Sequence, residues 1–405
     1  LKQALAAIER KKQQDAQIEA WAAELQQGGL PAEISADLKT ILHAPDKQTL
    51  TYKAFTKAAD AMKLSPLALA QQSGGVASIP QYLRDGFEMK YFPRGIAFAD
   101  LPVPVLADLP RAEVEAFSID DDATTEVDDA LSLTDLAGGG KRVGIHIAAP
   151  ALAIAPGSDM EKTIAERQST VYFPGDKITM LPENWIAAFS LDAGGYRPAV
   201  SIYFDVDADF NVSAPVCKIE AVNIVENLRI QAIEPHFNAQ SGLDAEGAAL
   251  FAHHRDLIWF YQLAIARQKA RGKYEPERAA QYDYSIELAS DGLVSVARRE
   301  RGSPIDTLVS EMMILANSTW AQMLDQAGLP GLFRVQPAGK VRMSTQSEPH
   351  IGMGVQHYGW FTSPLRRAAD YINQKQLISL IDPQAAPLYQ KNDADLFAAL
   401  RDFDT

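Results

Sequence analysis

The stretch FSIDDDATTEVDDALSL, residues 117–133, places a cluster of acidic residues between two apolar segments. Its carboxylates are those of Asp120, Asp121, Asp122, Glu126, Asp128 and Asp129. The apolar flanks, Phe117 with Ile119 and the segment ALSL, predict two strands joined by this acidic loop. Two carboxylates about 4 Å apart repel by roughly 1 kcal/mol in water and by about 4 kcal/mol at an effective dielectric of 20. Such crowding indicates either a solvated turn or a metal site.

Four of these carboxylates are spaced so that they converge from the two edges of the loop, namely Asp120, Glu126, Asp128 and Asp129. Oxygen ligands in this number suit hard cations such as Mg²⁺ or Mn²⁺. A helix-loop-helix calcium site does not match, because Thr125 stands where that loop has glycine and Leu131 where it has glutamate. The residues alone favour a metal site, with a solvated acidic turn as the alternative.

The composition of the 405-residue chain is that of an ordinary globular protein, with 47% hydrophobic and 22% charged residues. This length is enough for two or three domains. The net charge of −14 argues against a protein that coats nucleic acid through a general basic surface. A narrow basic channel remains compatible with that charge.

The apolar runs of the chain are short. They fall far below the roughly 20 residues that a membrane span requires, and no secretory signal opens the sequence. The single cysteine, Cys217, excludes an internal disulfide and a cysteine-based zinc site, which fits a reducing cytoplasm. We therefore expect a cytoplasmic monomer that has no membrane contact.

Residues 1–85 predict a helical domain. The segment LKQALAAIERKKQQDAQIEAWAAELQQGG has helical periodicity and is ended by Gly28 and Gly29. The helical segment DKQTLTYKAFTKAADAMKL is followed by Ser65 and Pro66, which predict the cap and first turn of another helix. Two short, closely joined helices resemble a helix-turn-helix, but most such pairs are only packed helices.

Strands and then helices follow this domain. Residues 86–115 are interpreted as a linker and strand segment, because KYFPRGIAFADLPVPVLADLP reads as strands punctuated by proline. Further strands are predicted in KRVGIHIAAPAL, STVYFPGDKITMLP and AVSIYFDVDADFNVSAPVCKIEAVNI, the last with a turn at DADFN. After about residue 243 helices dominate, notably 247–271, 304–326 and 363–381. This order predicts the α+β class.

The acidic stretch resembles the signature of the ribonuclease II (RNB) family of 3′→5′ exoribonucleases, which is an aspartate, a five-residue gap, an acidic residue, one spacer and Asp-Asp-Ala. The similarity continues in order through GIHIAAPALAIAPGSDMEKTIAERQSTVYFPGDKITMLPENWIAAFSLDAGGYRPAVS, LVSEMMILAN and HYGWFTSPLRRAADYINQKQL. The four blocks cover about residues 116–380. Within the signature the chain departs from the family at Glu126, where the family has aspartate.

This resemblance implies an RNB catalytic domain over residues 116–385, with a mixed β-sheet or barrel core surrounded by helices. Residues 386–405 are then expected to begin a C-terminal segment that is cut before an OB-fold domain. The implied activity is processive hydrolysis of single-stranded RNA to 5′-mononucleotides by a two-metal mechanism, with Mg²⁺ as the cofactor and Mn²⁺ as a substitute.

The resemblance also assigns roles to individual residues. It implies that the catalytic, metal-binding carboxylates are Asp120, Glu126, Asp128 and Asp129. Arg366 matches the family's catalytic arginine, and Tyr172 matches the tyrosine that holds the last nucleotides of the substrate. Glu311 lies where the family has a glutamate that contacts the terminal nucleotide. His146, in an apolar strand, is interpreted as a core residue.

Two further residues are candidates for RNA contact. Arg367 stands next to Arg366 at a predicted helix start, where both guanidinium groups can donate to a phosphate. Taken alone, the two arginines also fit a solvated helix face. Tyr274 is a candidate substitute for a stacking tyrosine of the family, whose place is taken here by Ile230.

Two other functions compete with the exoribonuclease. The first is a catalytically impaired RNA-binding or regulatory module that keeps the RNB fold, and the departure at Glu126 favours it. The second is a DNA-binding regulator that uses residues 45–75. The acidic net charge argues against this regulator, which also leaves everything after residue 110 without a role.

Overall fold

The computed structural model describes residues 2–237, 249–276, 280–288 and 293–404. The chain divides into an N-terminal compact unit that ends at Ala99 and a second compact unit that begins at Asp100. This division falls inside the segment 86–115 that the sequence predicts to be a linker. Within the described ranges, none of the helices has the length and apolar character that crossing a membrane requires.

The N-terminal unit is helical, as predicted. Its helices are α1 (Lys2–Gln26), α2 (Ala32–His43), α3 (Leu50–Met62), α4 (Pro66–Gln72) and α5 (Ile79–Tyr91). The predicted cap is confirmed, since the Ser65 hydroxyl accepts a hydrogen bond from the Ala68 backbone N–H at 3.1 Å. Lys63 adopts a left-handed conformation, with φ 53°, and ends α3 just before α4 begins. The nucleic-acid role of this helix pair stays a prediction.

The prediction of strands across residues 92–110 was wrong. Helix α5 runs to Tyr91, and the next strand does not begin until Arg111. The segment has prolines at positions 93, 102, 104 and 110, and a proline nitrogen has no hydrogen to donate to a strand ladder. The Leu101 carbonyl instead accepts hydrogen bonds from the side chains of Asn184 and Trp185, at 2.9 and 2.8 Å.

The second unit contains strands and helices. The strands are β1 (Arg111–Asp120), β2 (Asp129–Asp135), β3 (Lys141–Ala148), β4 (Val171–Phe173), β5 (Asp176–Ile178), β6 (Gly195–Val206), β7 (Val216–Arg229), β8 (Tyr282–Leu288), β9 (Val294–Glu300), β10 (Phe333–Val335) and β11 (Arg342–Ser344). The helices are α6 (Asp159–Arg167), α7 (Glu183–Phe189), α8 (Ile230–Ile233), α9 (His254–Ala270), α10 (Pro304–Gln326), α11 (Ala368–Ile381) and α12 (Ala394–Asp404).

A closed β-barrel forms the centre of this unit. Its strands follow the order β1-β2-β3-β6-β7, and β7 closes the barrel by pairing in parallel with β1, whereas the other neighbours are antiparallel. Strand β3 is buried on both faces from Val143 to Ala148, because side chains fill the barrel and helices cover its outside. The α+β class with a barrel core surrounded by helices is confirmed.

His146 lies inside the barrel, which confirms its interpretation as a core residue. The Ser132 hydroxyl lies 2.9 Å from its Nε2, and the Ser201 hydroxyl lies 2.8 Å from its Nδ1. All three side chains are buried. Burial lowers the pKa of His146 to about 3, so the imidazole is neutral at physiological pH.

The region after residue 243 contains a feature that the sequence reading missed. Strands β8 and β9 form an antiparallel hairpin between α9 and α10. Their sequences, YDYSIEL and VSVARRE, alternate between polar and apolar residues over much of their length, which is a strand period. Helix α11 begins at Ala368, later than predicted, so Arg366 and Arg367 precede it. Residues 247–248 of the predicted helix 247–271 lie outside the described residues.

Candidate active site

The acidic loop connects two neighbouring barrel strands. Strand β1 ends at Asp120 and β2 begins at Asp129, and the antiparallel pairing of Phe117 with Leu131 brings these two ends together. The second half of the loop is fixed by backbone hydrogen bonds. The Ala148 N–H donates to the Asp128 carbonyl at 2.8 Å, and the Leu191 N–H donates to residue 127 at 2.9 Å. The loop carboxylates therefore project from a rigid support.

Asp128 is buried and fully hydrogen-bonded. Its Oδ2 accepts from Arg366 Nε at 2.6 Å, and its Oδ1 accepts from the Leu365 backbone N–H at 2.8 Å. Burial raises the pKa of Asp128 to about 6, and the nearby Arg366 guanidinium opposes this rise. The carboxylate is therefore mainly ionised at pH 7, and its charge faces the arginine.

Tyr172 lies beside this ion pair, because β4 runs next to the segment that carries Arg366. The Thr170 N–H donates to the Arg366 carbonyl at 2.9 Å, and the Ala368 N–H donates to the Gln168 carbonyl at 2.7 Å. The Arg366 guanidinium also lies close to the Tyr172 hydroxyl and interacts with it electrostatically. With 59% of its surface exposed, Tyr172 leaves its ring accessible to a ligand.

Asp120 is held by a short chain of hydrogen bonds. The Ser118 hydroxyl donates to Asp120 Oδ2 at 2.6 Å, and Asn227 Nδ2 donates to the Ser118 oxygen at 2.8 Å. Burial raises the pKa of Asp120, against the effect of the Ser118 hydrogen bond. Asp121 and Asp122 are exposed to solvent, as ordinary loop acids are.

Asp129 has a strongly raised pKa. Burial, helped by the charges of Asp120 and Asp128, raises its pKa to about 8, although Arg366 and Arg367 oppose the rise. Within the part of the chain that the structure describes, the Asp129 side chain has no hydrogen bond and no ion pair. Asp129 thus lies among other carboxyl groups and, in the described structure, has no direct protein partner of its own.

Glu126 differs from these aspartates, because it has a lysine partner that the sequence reading missed. Its Oε2 forms an ion pair with Lys177 Nζ, and its Oε1 accepts from the Thr170 hydroxyl at 3.4 Å. Glu126 is only 2% exposed. The sequence feature that could have indicated this partner is the hairpin VYFPGDKI, in which Lys177 on β5 pairs directly with Tyr172 on β4.

Arg367 lies near the cluster, but its guanidinium is engaged elsewhere. Its Nε donates to Asp370 Oδ2 at 2.6 Å, and its Nη2 donates to Asp370 Oδ1 at 2.8 Å. The same guanidinium lies over the Trp360 ring, 4.5 Å from the centroid. Its contact with RNA stays a prediction.

Glu311 and Tyr274, the two remaining predicted RNA contacts, have protein partners outside the acidic loop. Glu311 is buried on α10 and forms an ion pair with Arg271, which also donates to the Met353 carbonyl. Tyr274 follows α9, is 39% exposed and has Lys269 Nζ 4.9 Å from its ring centroid. No described contact joins either residue to the acidic loop, and their RNA contacts stay predictions.

The residues fit a divalent cation at one part of the cluster only. Asp120 and Asp129 supply oxygen donors that form no ion pair within the described ranges of the chain, and such donors suit Mg²⁺ or Mn²⁺. Glu126 does not fit in its present arrangement, because Lys177 occupies its carboxylate. Across the described ranges, no group of three or more His, Cys, Asp or Glu side chains is arranged to hold a metal ion.

The barrel and the acidic loop between two of its strands define the second unit as an α+β domain of the RNB type. The model of the RNB domain matches residues 110–343 and 338–383, which is more than half of the chain. The chain belongs to the RNB family.

Curated relatives agree with this membership. Exoribonuclease 2 of Glaesserella parasuis is 26% identical over 339 residues, which cover 66% of this chain and 51% of that protein. Exoribonuclease 2 of Vibrio parahaemolyticus is 26% identical over 339 residues, which cover 68% of this chain and 50% of that protein. The chain therefore spans about half the length of these relatives.

Solved structures share the fold. RNase R of Mycoplasma genitalium, in complex with ribose-methylated single-stranded RNA, has a TM-score of 0.66 and 15% identity, covering 80% of this chain and 61% of that one. The Dss1 exoribonuclease of Candida glabrata has a TM-score of 0.72 and 17% identity, and the match covers 96% of this chain and 58% of that one. Yeast Ssd1, described as a pseudonuclease, has a TM-score of 0.58 and 16% identity, and the match covers 74% of this chain and 44% of that one.

Proposed function

We propose that the chain is a metal-dependent, processive 3′→5′ exoribonuclease that hydrolyses single-stranded RNA to 5′-mononucleotides. The observation that carries this proposal is the convergence of Asp120, Asp128 and Asp129 with Arg366 and Tyr172 at one end of the barrel strands. Membership of the RNB family and the name Exoribonuclease 2 of the matched relatives support it.

Mg²⁺ or Mn²⁺ is the proposed cofactor, and Asp120 and Asp129 would hold it, with Asp128 beside them. When bound, such an ion activates water or stabilises the leaving oxygen of a phosphodiester. The protein itself supplies positioning. Asp128 holds the Arg366 guanidinium through its Nε–H, and Nη2 donates to the Ser363 hydroxyl at 3.2 Å. The guanidinium is so placed beside the carboxylates, where it would stabilise negative charge that develops on a phosphate.

Single-stranded RNA is the proposed substrate, and the protein is proposed to act as a cytoplasmic monomer. The exposed ring of Tyr172 offers a surface on which a base stacks, and stacking of this kind tolerates any sequence. Arg366 and Arg367 place positive charge beside it in a chain whose net charge is −14. The RNase R neighbour was solved with single-stranded RNA, which supports the same class of ligand here.

The test uses a 5′-labelled RNA with a single-stranded 3′ end. We expect stepwise shortening and release of 5′-mononucleotides in Mg²⁺ or Mn²⁺, and no shortening in a chelator. Asp129→Asn is the informative variant, because this side chain has no hydrogen bond or ion pair in the described structure and its replacement disturbs no direct contact. It should abolish shortening while RNA binding stays within about threefold of wild type, measured by fluorescence anisotropy.

A second candidate is an RNA-binding or regulatory module with the RNB fold and impaired catalysis. The ion pair of Glu126 with Lys177 favours it, because this pair removes one carboxylate of the family signature from the free acidic cluster. The similarity to yeast Ssd1 points in the same direction. RNA binding without mononucleotide release in either metal would establish this candidate and reject the exoribonuclease.

A further inference from the structure

The hairpin formed by β4 and β5 presents two side chains to the acidic loop. Tyr172 and Lys177 are directly opposite each other in the antiparallel pairing of these strands, and such cross-strand partners project from the same face. Tyr172 contacts Arg366, and Lys177 contacts Glu126. One short hairpin therefore touches both the arginine motif and the acidic motif.

Both oxygens of the Glu126 carboxylate accept hydrogen bonds from protein donors. Lys177 Nζ and the Thr125 hydroxyl, the latter at 3.1 Å, hydrogen-bond Oε2, while the Thr170 hydroxyl contacts Oε1. The Lys177 side chain is 23% exposed and that of Glu126 is 2% exposed, so the pair is largely withdrawn from water. Separating such a pair leaves an unpaired buried charge, which is strongly unfavourable.

Two other carboxylates of the acidic loop lack the lysine partner that Glu126 has. Asp120 and Asp129 have no ion pair in the described structure, and each is close enough to other carboxylates to feel their repulsion. A cation that enters the cluster is therefore attracted to the aspartates, whereas at Glu126 it has to displace an ammonium group that is already in place. The lysine and the cation compete for one role, which is to neutralise an acidic side chain.

We propose that Lys177 is a positioning residue that retains Glu126 outside the cation site, so that the acidic loop binds one divalent cation instead of two. In this chain the ammonium group neutralises a carboxylate that would otherwise be available to a second ion. The longer side chain of Glu126, at a position where the family has aspartate, reaches the lysine. This inference rests on the proposed metal-dependent function and specifies its cation requirement.

Titration of the metal-free protein with Mn²⁺, without RNA, tests this proposal. Free Mn²⁺ is followed by electron paramagnetic resonance, so the readout is independent of catalysis. We expect one Mn²⁺ per wild-type chain, and the same stoichiometry with a Kd changed less than about threefold in Glu126→Gln. Asp129→Asn should weaken binding by at least about tenfold, as loss of a group that supports a metal does.

Lys177→Met removes the ammonium group and should create a second Mn²⁺ site by freeing Glu126. The matched control is Lys162→Met, since Lys162 pairs with Asp159 on the exposed surface at 2.9 Å. This control should retain one site, as should the conservative variant Lys177→Arg. If circular dichroism shows that Lys177→Met does not fold, Glu126→Gln decides the question.

Two Mn²⁺ ions or none on the wild-type chain would overturn the proposal. So would a loss of affinity in Glu126→Gln as large as that in Asp129→Asn, or a folded Lys177→Met variant with only one site. RNA shortening is assayed on the same wild-type preparation. A chain that binds one Mn²⁺ and leaves RNA intact would refute the exoribonuclease and leave the role of Lys177 standing.

Discussion

Arg366 Nε lies 2.6 Å from Asp128 Oδ2, although the two residues are 238 positions apart in the chain. This ion pair joins the arginine motif that precedes α11 to the acidic loop between β1 and β2. The Asp128 side chain is fully buried, whereas the Arg366 side chain is 35% exposed. The arginine is thus anchored at one side of its guanidinium and accessible at the other.

The planar guanidinium of Arg366 should be required for hydrolysis. Arg366→Lys retains the positive charge but loses the donors that bind a carboxylate and a phosphate together. We expect the rate of mononucleotide release to fall about 100-fold, the size of effect that removal of one transition-state donor produces. Arg142→Lys is the control, because Arg142 also pairs with an aspartate, Asp205, but lies on the exposed surface and outside the site. Equal losses in the two variants would contradict this role.

The Tyr172 ring should bind RNA chiefly by stacking. Tyr172→Ala should weaken binding of a short single-stranded RNA by about 1–3 kcal/mol, whereas Tyr172→Phe should retain most of the affinity. Fluorescence anisotropy with Asp129→Asn as the background measures binding without hydrolysis. Tyr284→Ala, at a tyrosine that is 64% exposed on β8, is the control and should bind like its parent. If Phe and Ala at position 172 are equally weak, the hydroxyl and its Arg366 contact carry the binding instead.

The metal-free protein should lose stability as the pH rises from 6.5 to 8. The pKa of Asp129 is raised from 3.8 to about 8, so the folded metal-free chain retains a proton that the unfolded chain releases. The resulting stability is complete below about pH 4 and is lost as the pH approaches 8, by up to about 1.4 kcal/mol per pH unit. Melting temperatures in chelator should fall over this range. The fall should be smaller in Mg²⁺ and in Asp129→Asn, and an identical fall in all three would contradict the assignment.

Acid should destabilise the barrel through His146. Its pKa is lowered from 6.5 to about 3, so the unfolded chain binds a proton below pH 6.5 that the folded chain excludes. Stability is therefore complete above pH 6.5 and is lost as the pH falls toward 3. Urea unfolding of wild type and His146→Gln at pH 6.5 and 4.5 measures this loss, which should be smaller in the variant. Equal losses of stability in wild type and His146→Gln would show that another group causes the acid sensitivity.

The barrel and most of the acidic site were predictable from the sequence. Alternating apolar segments indicate strands, and the ordered motifs indicate that the acidic loop, the Tyr172 strand and the arginine segment belong to one site. The partner of Glu126 was not predictable in the same way. Lys177 is 51 positions away and is the direct cross-strand neighbour of Tyr172, so only the closure of the β4–β5 hairpin brings its charge to the loop.

Two other errors have physical causes. Residues 92–110 alternate like a strand, but their prolines remove the donors that a ladder needs, so the chain remains irregular. Strands β8 and β9 were overlooked because the surrounding sequence is helical, although their own period is that of a hairpin. The pairing of Glu311 with Arg271, 40 positions earlier, was likewise visible only in the packed structure, and the contact of Glu311 with a nucleotide stays a prediction.

The β4–β5 hairpin has three residues in each strand, which is too short for its two ends to move separately. Displacement of Tyr172 by a ligand therefore also shifts Lys177, and with it the ammonium group on Glu126. In the proposed exoribonuclease, contact with an RNA base and the charge of the acidic loop would therefore change together. Arrival and departure of each nucleotide should alter the electrostatic potential at the aspartates in step with the translocation of the strand.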